Sequence, residues 1–395
     1  MTDFASIDYD AFARDLDALR AEADAQLGPD DLAHLRKMAR WGRAFTGVGY
    51  ATAWLGPNPV SMLCLAQGNT ARWTMLMHHV GHRGYDKVPG VPPEYTSKWF
   101  AQGSRRARDW LDWIDPEAWA VEHNLLHHFR TGELADPDLV EENLQAVRSA
   151  DLPRLVKYGI VAFFAFTWKV SYYAPNTLQV LRHHQAREAG DAPRTARSNP
   201  DTLVSAFDPR TESGRAFYRR CLLPYGLARF VAAPLAFSPL GPLAVASVWL
   251  NSLGAELLAN AQSFVLIAPN HAGEDVYRFE GRSTDRAEFY VRQVAGSVNY
   301  RTGGDWNDFA HGFLNYQIEH HLWPDLPMLR YQALAPKVKA VCERHGVPYL
   351  QEGVLRRAKK LVDIMVGKTS MRVAATLSKS ARKDRARLAD AARGE

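Results

Sequence analysis

MLMHHVGHRGYD (residues 75–86), VEHNLLHHFRTGE (121–133) and NYQIEHHLWPDLP (315–327) gather eight of the 14 histidines of the chain. His78 and His82 are four residues apart, as are His123 and His127, so on a helix each pair stacks on one face. His128 follows His127 directly, and Gln317 precedes His320 and His321 by three and four residues. One such cluster is ordinary, because a lone buried histidine usually bonds a carbonyl. Three clusters are what packed helices need to hold metal, each contributing two or three neutral imidazole nitrogens. Eight imidazoles exceed what one tetrahedral zinc ion uses. Imidazole also suits iron, and a pair of ions sharing the set is the natural count. Zinc-peptidase chemistry is disfavoured, since no H-E-x-x-H occurs and the segment from His78 to His82 lacks a glutamate base.

Four apolar blocks surround these clusters. Residues 44–71 and 230–255 carry no charge, residues 257–273 continue after the single Glu256, and residues 159–181 are broken only by Lys169. A spanning helix needs about 20 largely apolar residues. Residues 43–77, turning at Gly56-Pro57-Asn58-Pro59, and residues 230–270 therefore read as two membrane hairpins, with Trp54, Trp73 and Trp249 at interfacial positions. For the histidines to meet, the chain must cross an even number of times between His128 and His271, so residues 159–181 form an interfacial or buried helix. The connector from Arg182 to Arg220, with 8 Arg against 5 acids, stays on the cytoplasmic side. The expected architecture is all-α. A membrane-embedded stem of four helices carries a cytoplasmic helical cap, which holds a histidine-rich dinuclear metal site. Three segments are expected: an acidic amphipathic helical region over residues 1–40, the main domain over 41–352, and a basic tail over 353–395.

The chain has 395 residues, 47% hydrophobic and 23% charged, which excludes a disordered or fibrous protein. Its mean hydropathy of −0.29 is well below that of a many-spanning transporter. Cys64, Cys221 and Cys342 lie far apart, without a C-x-x-C pair, which excludes a disulfide framework and points to a reducing compartment. The N-terminus lacks the basic head and apolar run of a secretory signal. Of the net charge of +5, the basic part is concentrated after residue 355, where 12 Lys and Arg face 4 acids. That tail is either a solvated terminus or a dock for anionic lipid or an acidic partner. No nucleic-acid module is present.

At this level of detail the sequence resembles the membrane fatty acid desaturase family. His78-x-x-x-His82 is similar to its first histidine box, the run from His123 to His128 to its second, and Gln317-Ile318-Glu319-His320-His321 with Leu322-Trp323-Pro324 to its third. Gln317 in place of a histidine resembles the front-end subgroup. The resemblance, over roughly residues 40–350, implies two iron ions, a site on the cytoplasmic side of the inner membrane, and dioxygen as co-substrate. It further implies two external electrons for removing two hydrogens from an acyl chain. It also implies an isolated ligand after the last spanning helix, where His271 stands. The implied ligands are His78, His82, His123, His127, His128, His271, His320 and His321, with Gln317, His311 and Asn270 as weaker candidates. His79 and Glu319 are expected beside the ligands rather than on the metal.

A ligating imidazole usually donates its second N–H to a carboxylate or carbonyl. Asp86, Glu122, Glu133, Asp136, Glu274, Asp305 and Glu319 are available, each with ordinary surface charge as the alternative. His34, His183, His184 and His345 read as surface or packing residues. The aromatic run Phe163, Phe164, Phe166, Trp168, Tyr172 and Tyr173 reads first as core packing and second as the lining of an acyl channel. The absence of a His-Pro-Gly-Gly haem signature implies a separate electron donor, a ferredoxin or cytochrome b5-like carrier. A hydroxylase or acetylenase would use the same boxes, and a non-catalytic metal-binding membrane protein is the alternative from another class.

Overall fold

The computed structural model describes residues 4–190, 204–283 and 285–374. Most of these residues are helical. The first hairpin joins helix Pro29–Ala53 to helix Pro59–Ala71. Each begins with proline in its first turn, where a missing N–H leaves nothing unsatisfied. The Asn58 side chain accepts from Ser61 N at 2.8 Å and starts the second arm. The turn falls at the Gly56-Pro57-Asn58-Pro59 run, with Gly56 at φ +127, a conformation closed to other residues. The arms pack closely where glycine removes a side chain: a Cβ on Gly49 would lie 2.6 Å from Leu65 Cγ.

The second hairpin is Glu212–Leu240 followed by Pro242–Asn270, folded back at Gly241. Among the described residues these two helices are long and apolar enough to cross a membrane. The first arm begins well before the apolar block at Phe230, because its early charges find partners. Arg220 bonds Asp115 and Glu117, and buried Arg229 donates to Tyr50 OH at 2.7 Å. The arms of the first hairpin do not meet the same measure, since charges occupy much of Pro29–Ala53 before Ala44. That helix also runs without a break through residue 40, so the expected boundary there is not a break in the fold.

The two hairpins are in register. Asn251 donates to the Ala53 and Gly56 carbonyls and accepts from Asn58 N, all at 2.9 Å. Near the other end, Thr70 and Gln67 bond Gln262. Large apolar side chains face outward on both hairpins, including Leu55, Leu63, Leu227 and Leu243, and on helix Arg154–Trp168, including Leu155 and Phe163.

The remaining elements form the cap over one end of the hairpins. Helix Tyr9–Ala25 buries Phe12 and Leu16 in its core, and helix Met328–His345 adds Tyr331 and Val338. The expected all-α architecture is corrected by two short parallel ribbons, Tyr277–Phe279 with Arg372–Ala374 and Val298–Asn299 with Leu350–Gln351. They arise where the C-terminal segment returns across the cap. Helix Val354–Met365 buries Leu361 and Ile364, so residues 354–374 of the expected tail belong to the folded body. The rest of the tail and residues 191–203 of the connector lie outside the described residues. All three cysteines are free thiols.

Replacing Asn251 by Ala would leave Asn58 N without its acceptor and take one donor from each tip carbonyl, leaving Ser247 on Ala53 O and the Asn58 amide on Gly56 O. We expect a loss of about 1–3 kcal/mol, read as a lower thermal unfolding midpoint in detergent, with Leu250→Ala, on the exposed face, near neutral.

Candidate metal centre

Helix Pro59–Ala71 continues through a wide i→i+5 turn, Arg72–Met77, into His78–Gly81. The second histidine run sits on another wide turn, Ala120–His127, entered from a short helix that Asp115 caps. The third lies on helix Gln317–Leu322. These elements bring potential ligand nitrogens of His78, His82, His123, His128 and His320 within 4.8 Å of one another. A second group of the same tightness joins His127, His271 and His321.

The wide turn changes which residues pair. On an α-helix His123 would share its face with His127. With i→i+5 spacing, His123 meets His128 at the first group while His127 serves the second, and His123 and His127 also lie within 4.8 Å of each other and of Asp138 in a third grouping. Adjacent His320 and His321 likewise divide between the groups, as a turn of about 100° per residue requires.

The chemistry of the donors fits metal. His78 Nε2 and His123 Nε2 lie 3.0 Å apart, the separation of neighbouring ligands at right angles with bonds of about 2.1 Å. Buried nitrogens of His82, His123, His128, His320 and His321 have no protein partner, an arrangement that costs about 1–3 kcal/mol per group when nothing binds there. Burial and mutual repulsion keep these imidazoles neutral. His78 and His271 are pushed down to about 3, and His82, His123, His128, His320 and His321 fall well below the usual histidine range. His127 moves the other way, because the Asp136 carboxylate outweighs its burial.

Outer hydrogen bonds set four of the tautomers. His127 Nδ1 donates to Asp136 at 2.9 Å, His271 Nδ1 to Gly296 O at 3.1 Å, and His321 Nδ1 to Gln293 Oε1 at 3.0 Å. Tyr331 OH gives its proton to Trp323 O, so His320 Nδ1 donates to Tyr331 at 3.3 Å. In His320 and His321 this leaves Nε2 with a free lone pair, whereas His271 Nε2 accepts from Gln317 Nε2. Of the seven acids singled out in the sequence, Asp136 alone takes this role among the described residues. Glu319 accepts from Asn299 and Tyr349 instead, and burial lifts it to about 7. Gln293 and Tyr331 carry no sequence signal beyond lying on helices; their role follows from where those helices pack.

The weaker candidates separate. Gln317 Nε2 lies 2.9 Å from His271 Nε2, beside the second group. Asn270 Nδ2 bonds the Leu266 and Leu314 carbonyls, leaving its buried Oδ1 without a partner. His311 joins neither group, its Nδ1 2.7 Å from Asn307 O and its ring against Tyr300. His79 is fully buried with both nitrogens unbonded, packed on His320 and Tyr331.

An apolar cavity of about 130 Å³ opens onto His78, His123, His127 and His271. Its walls include Trp73, Phe164, Trp168, Tyr172 and Phe264, so part of the aromatic run lines a cavity, while Tyr173 is also buried in the main core with Trp168 and Tyr172 packed against it. Residues 164, 168 and 172 share a helix face, whereas Phe163 and Phe166 point outward and are exposed.

His271 is positioned from the C-terminal helix. Arg357, wholly buried, donates to Ala272 O at 2.7 Å and Pro269 O at 3.1 Å, and pairs with Asp275 at 2.6 Å. Its planar fork thus holds both sides of the Asn270-His271 step.

Comparison with known proteins agrees with this geometry. The fatty acid desaturase family profile matches residues 44–353. An NADPH-dependent stearoyl-CoA 9-desaturase of Mycobacterium tuberculosis is 25% identical over 364 residues, covering 87% of this chain and 75% of that protein. An acyl-lipid (7-3)-desaturase of Diacronema lutheri is 30% identical over 249 residues, 60% of this chain and 50% of that protein. An acyl-lipid (8-3)-desaturase of Rebecca salina is 50% identical over 60 residues, 15% of this chain and 14% of that protein.

Two predictions follow from the electrostatics and the anchoring. Imidazoles of the unfolded chain titrate near 6.5, above the folded values, so below that pH the unfolded state binds the extra protons and stability falls. The metal-free protein should unfold at a lower temperature at pH 5 than at pH 7, each depressed histidine contributing up to about 1.4 kcal/mol per pH unit. Arg357→Gln should reduce metal occupancy by about half, by loosening His271 while the five-histidine group persists. Equal occupancy by elemental analysis would refute that positioning role.

Proposed function

Because this chain belongs to the fatty acid desaturase family, an oxidoreductase family acting on fatty acyl chains, we propose that it is an oxygen-dependent di-iron desaturase placing a double bond in an acyl chain. The observation that carries the reading is the apolar cavity ending on both histidine groups. His78, His82, His123, His128 and His320 would hold one iron. His127, His271 and His321, with Gln317 beside them, would hold the second. Bound there, the irons supply, with dioxygen and two electrons from an external carrier, the oxidising power to take two hydrogens from an unactivated chain, which no side chain provides.

The protein's own residues do the rest. Trp73, Phe164, Trp168 and Phe264 fix the hydrocarbon against the histidines and exclude water. Asp136, Gln293, Gly296 O and Tyr331 keep the ring orientations fixed through the outer hydrogen bonds. Five or more imidazoles and no bound thiolate suit iron over structural zinc.

The same reading places the two hairpins in a bilayer as the stem, with the active site on the cytoplasmic side. Outward-facing leucines on both hairpins support this placement, as do the arginines of the connector from Arg182 to Arg220. The first hairpin inserts beside the second as far as Asn251, short of the turn at Gly241. Helix Arg154–Trp168 lies at the interface, its exposed side carrying Leu155 and Phe163.

Purified, iron-supplied protein should contain two irons per chain, and His127→Ala with His321→Ala should lose metal and product together, while Phe163→Ala on the outward face keeps both. Mass spectrometry of acyl products from cells expressing the chain decides the reaction. Products lighter by one hydrogen molecule support desaturation. An added oxygen atom would assign a hydroxylase, loss of two hydrogen molecules an acetylenase, and zinc with no product would sink the reading.

A further inference from the structure

A second cavity, sharing no wall residue with the histidine cavity, lies on the opposite side of the segment 71–76. It has about 360 Å³ and lies between the first hairpin and the loop that follows His82. Four arginines line it: Arg43 and Arg72 from the two hairpin arms, Arg105 and Arg108 from the loop. Two acids are also present. Asp109 is taken by Arg105 through paired bonds of 2.9 and 3.1 Å, which leaves Glu94 against Arg43, Arg72 and Arg108. None of those three guanidinium groups has a protein partner among the described residues. Leu76, Tyr95 and Phe100 give the cavity an apolar side.

Its depth follows from the packing of the hairpins. Residues 44–71 are uncharged, so Arg43 and Arg72 bracket the apolar part of the hairpin. They stand at one level, since a Cβ on Gly42 would touch Ala71 Cβ at 3.0 Å. Thr70 bonds Gln262, near the cap end of the long apolar helix. The arginines therefore stand at the plane where the stem would leave the hydrocarbon and enter the headgroups.

We propose that this cleft binds the phosphate of an anionic glycerophospholipid in the leaflet under the cap. Guanidinium forks match phosphate oxygens in pairs. A surplus of two positive charges, after Glu94, suits a phosphodiester with a further anionic lipid field around it. The apolar side formed by Leu76, Tyr95 and Phe100 accepts the start of the acyl chains. The proposal rests on the membrane reading of the hairpins. It adds a lipid site separate from the cavity assigned to the reacting chain.

The test uses the full chain in nanodiscs of equal phosphatidylglycerol and phosphatidylcholine, followed by native mass spectrometry after detergent release. The native protein should retain phosphatidylglycerol. Arg43→Gln with Arg72→Gln and Arg108→Gln should weaken that retention by about one to two orders of magnitude. A control with Arg14→Gln, Arg301→Gln and Arg344→Gln, equal in charge but elsewhere on the surface, should retain it. Arg43 and Arg108 are exposed, and an unchanged thermal midpoint of the cleft variant separates lost binding from lost folding. Equal retention by both variants overturns the site. So does displacement by coenzyme A without any preference for phosphatidylglycerol, which would assign the arginines to a soluble phosphate instead. Flotation with pure phosphatidylcholine vesicles is the parallel arm. Native protein that fails to float refutes the membrane reading itself, whereas protein that floats yet shows no lipid preference refutes the cleft alone.

Discussion

Neutral imidazoles concentrated in a dry space are the constraint on which the structure turns. His78, His82, His123, His127, His128, His320 and His321 are buried, and His271 closes the second group. Their facing nitrogens cannot all satisfy one another, because neutral rings each carry one donor and one acceptor, and burial opposes adding protons to all but His127, which the Asp136 carboxylate favours. A site of this kind is destabilising without its metal. It must be held open by interactions outside it, and much of the cap does that work.

Those interactions come from distant parts of the chain. Asp136 follows the second histidine run, Gln293 and Gly296 lie on or beside helix Arg286–Ala295, and Tyr331 comes from helix Met328–His345. Arg357 reaches in from the C-terminal helix to the carbonyls around His271. Each fixes a ring through one bond, so the geometry of the centre reports the packing of the whole cap. The wide turns at Arg72–Met77 and Ala120–His127 are part of the same arrangement, since they change the helical phase where the histidines emerge.

Cap and hairpins are joined by buried polar groups rather than by apolar surface alone. Glu256, in the middle of the long apolar helix, accepts from Trp113 Nε1 at 2.7 Å and Tyr225 OH at 2.8 Å. Lys169 pairs with Asp112 at 2.6 Å, and its backbone N–H donates to Asn260. A charge in such a position is costly unless paired. Its partners fix how helix Pro242–Asn270 meets the cap and the aromatic wall of the cavity formed by Trp73 and Trp168. The cavity wall and the histidines are therefore held by connected sets of buried polar contacts.

The sequence by itself determined which histidines gather, the family, and the hairpin turn at Gly56 to Pro59, because these depend on residue type and local spacing. It also placed His271 beyond the last long helix by resemblance. Tertiary structure decided how the histidines divide. That His123 reaches His128 as well as His127 depends on an i→i+5 turn that no local pattern signals. Whether His311 or His271 joins the site depends on which carbonyls and arginines hold each loop. The early start of Glu212–Leu240 and the folding of residues 354–374 into the body were hidden for the same reason. Nothing local marks Arg220, Arg229 and Arg357 as anchored, because their partners, Asp115, Tyr50 and the Pro269 carbonyl, are remote in sequence.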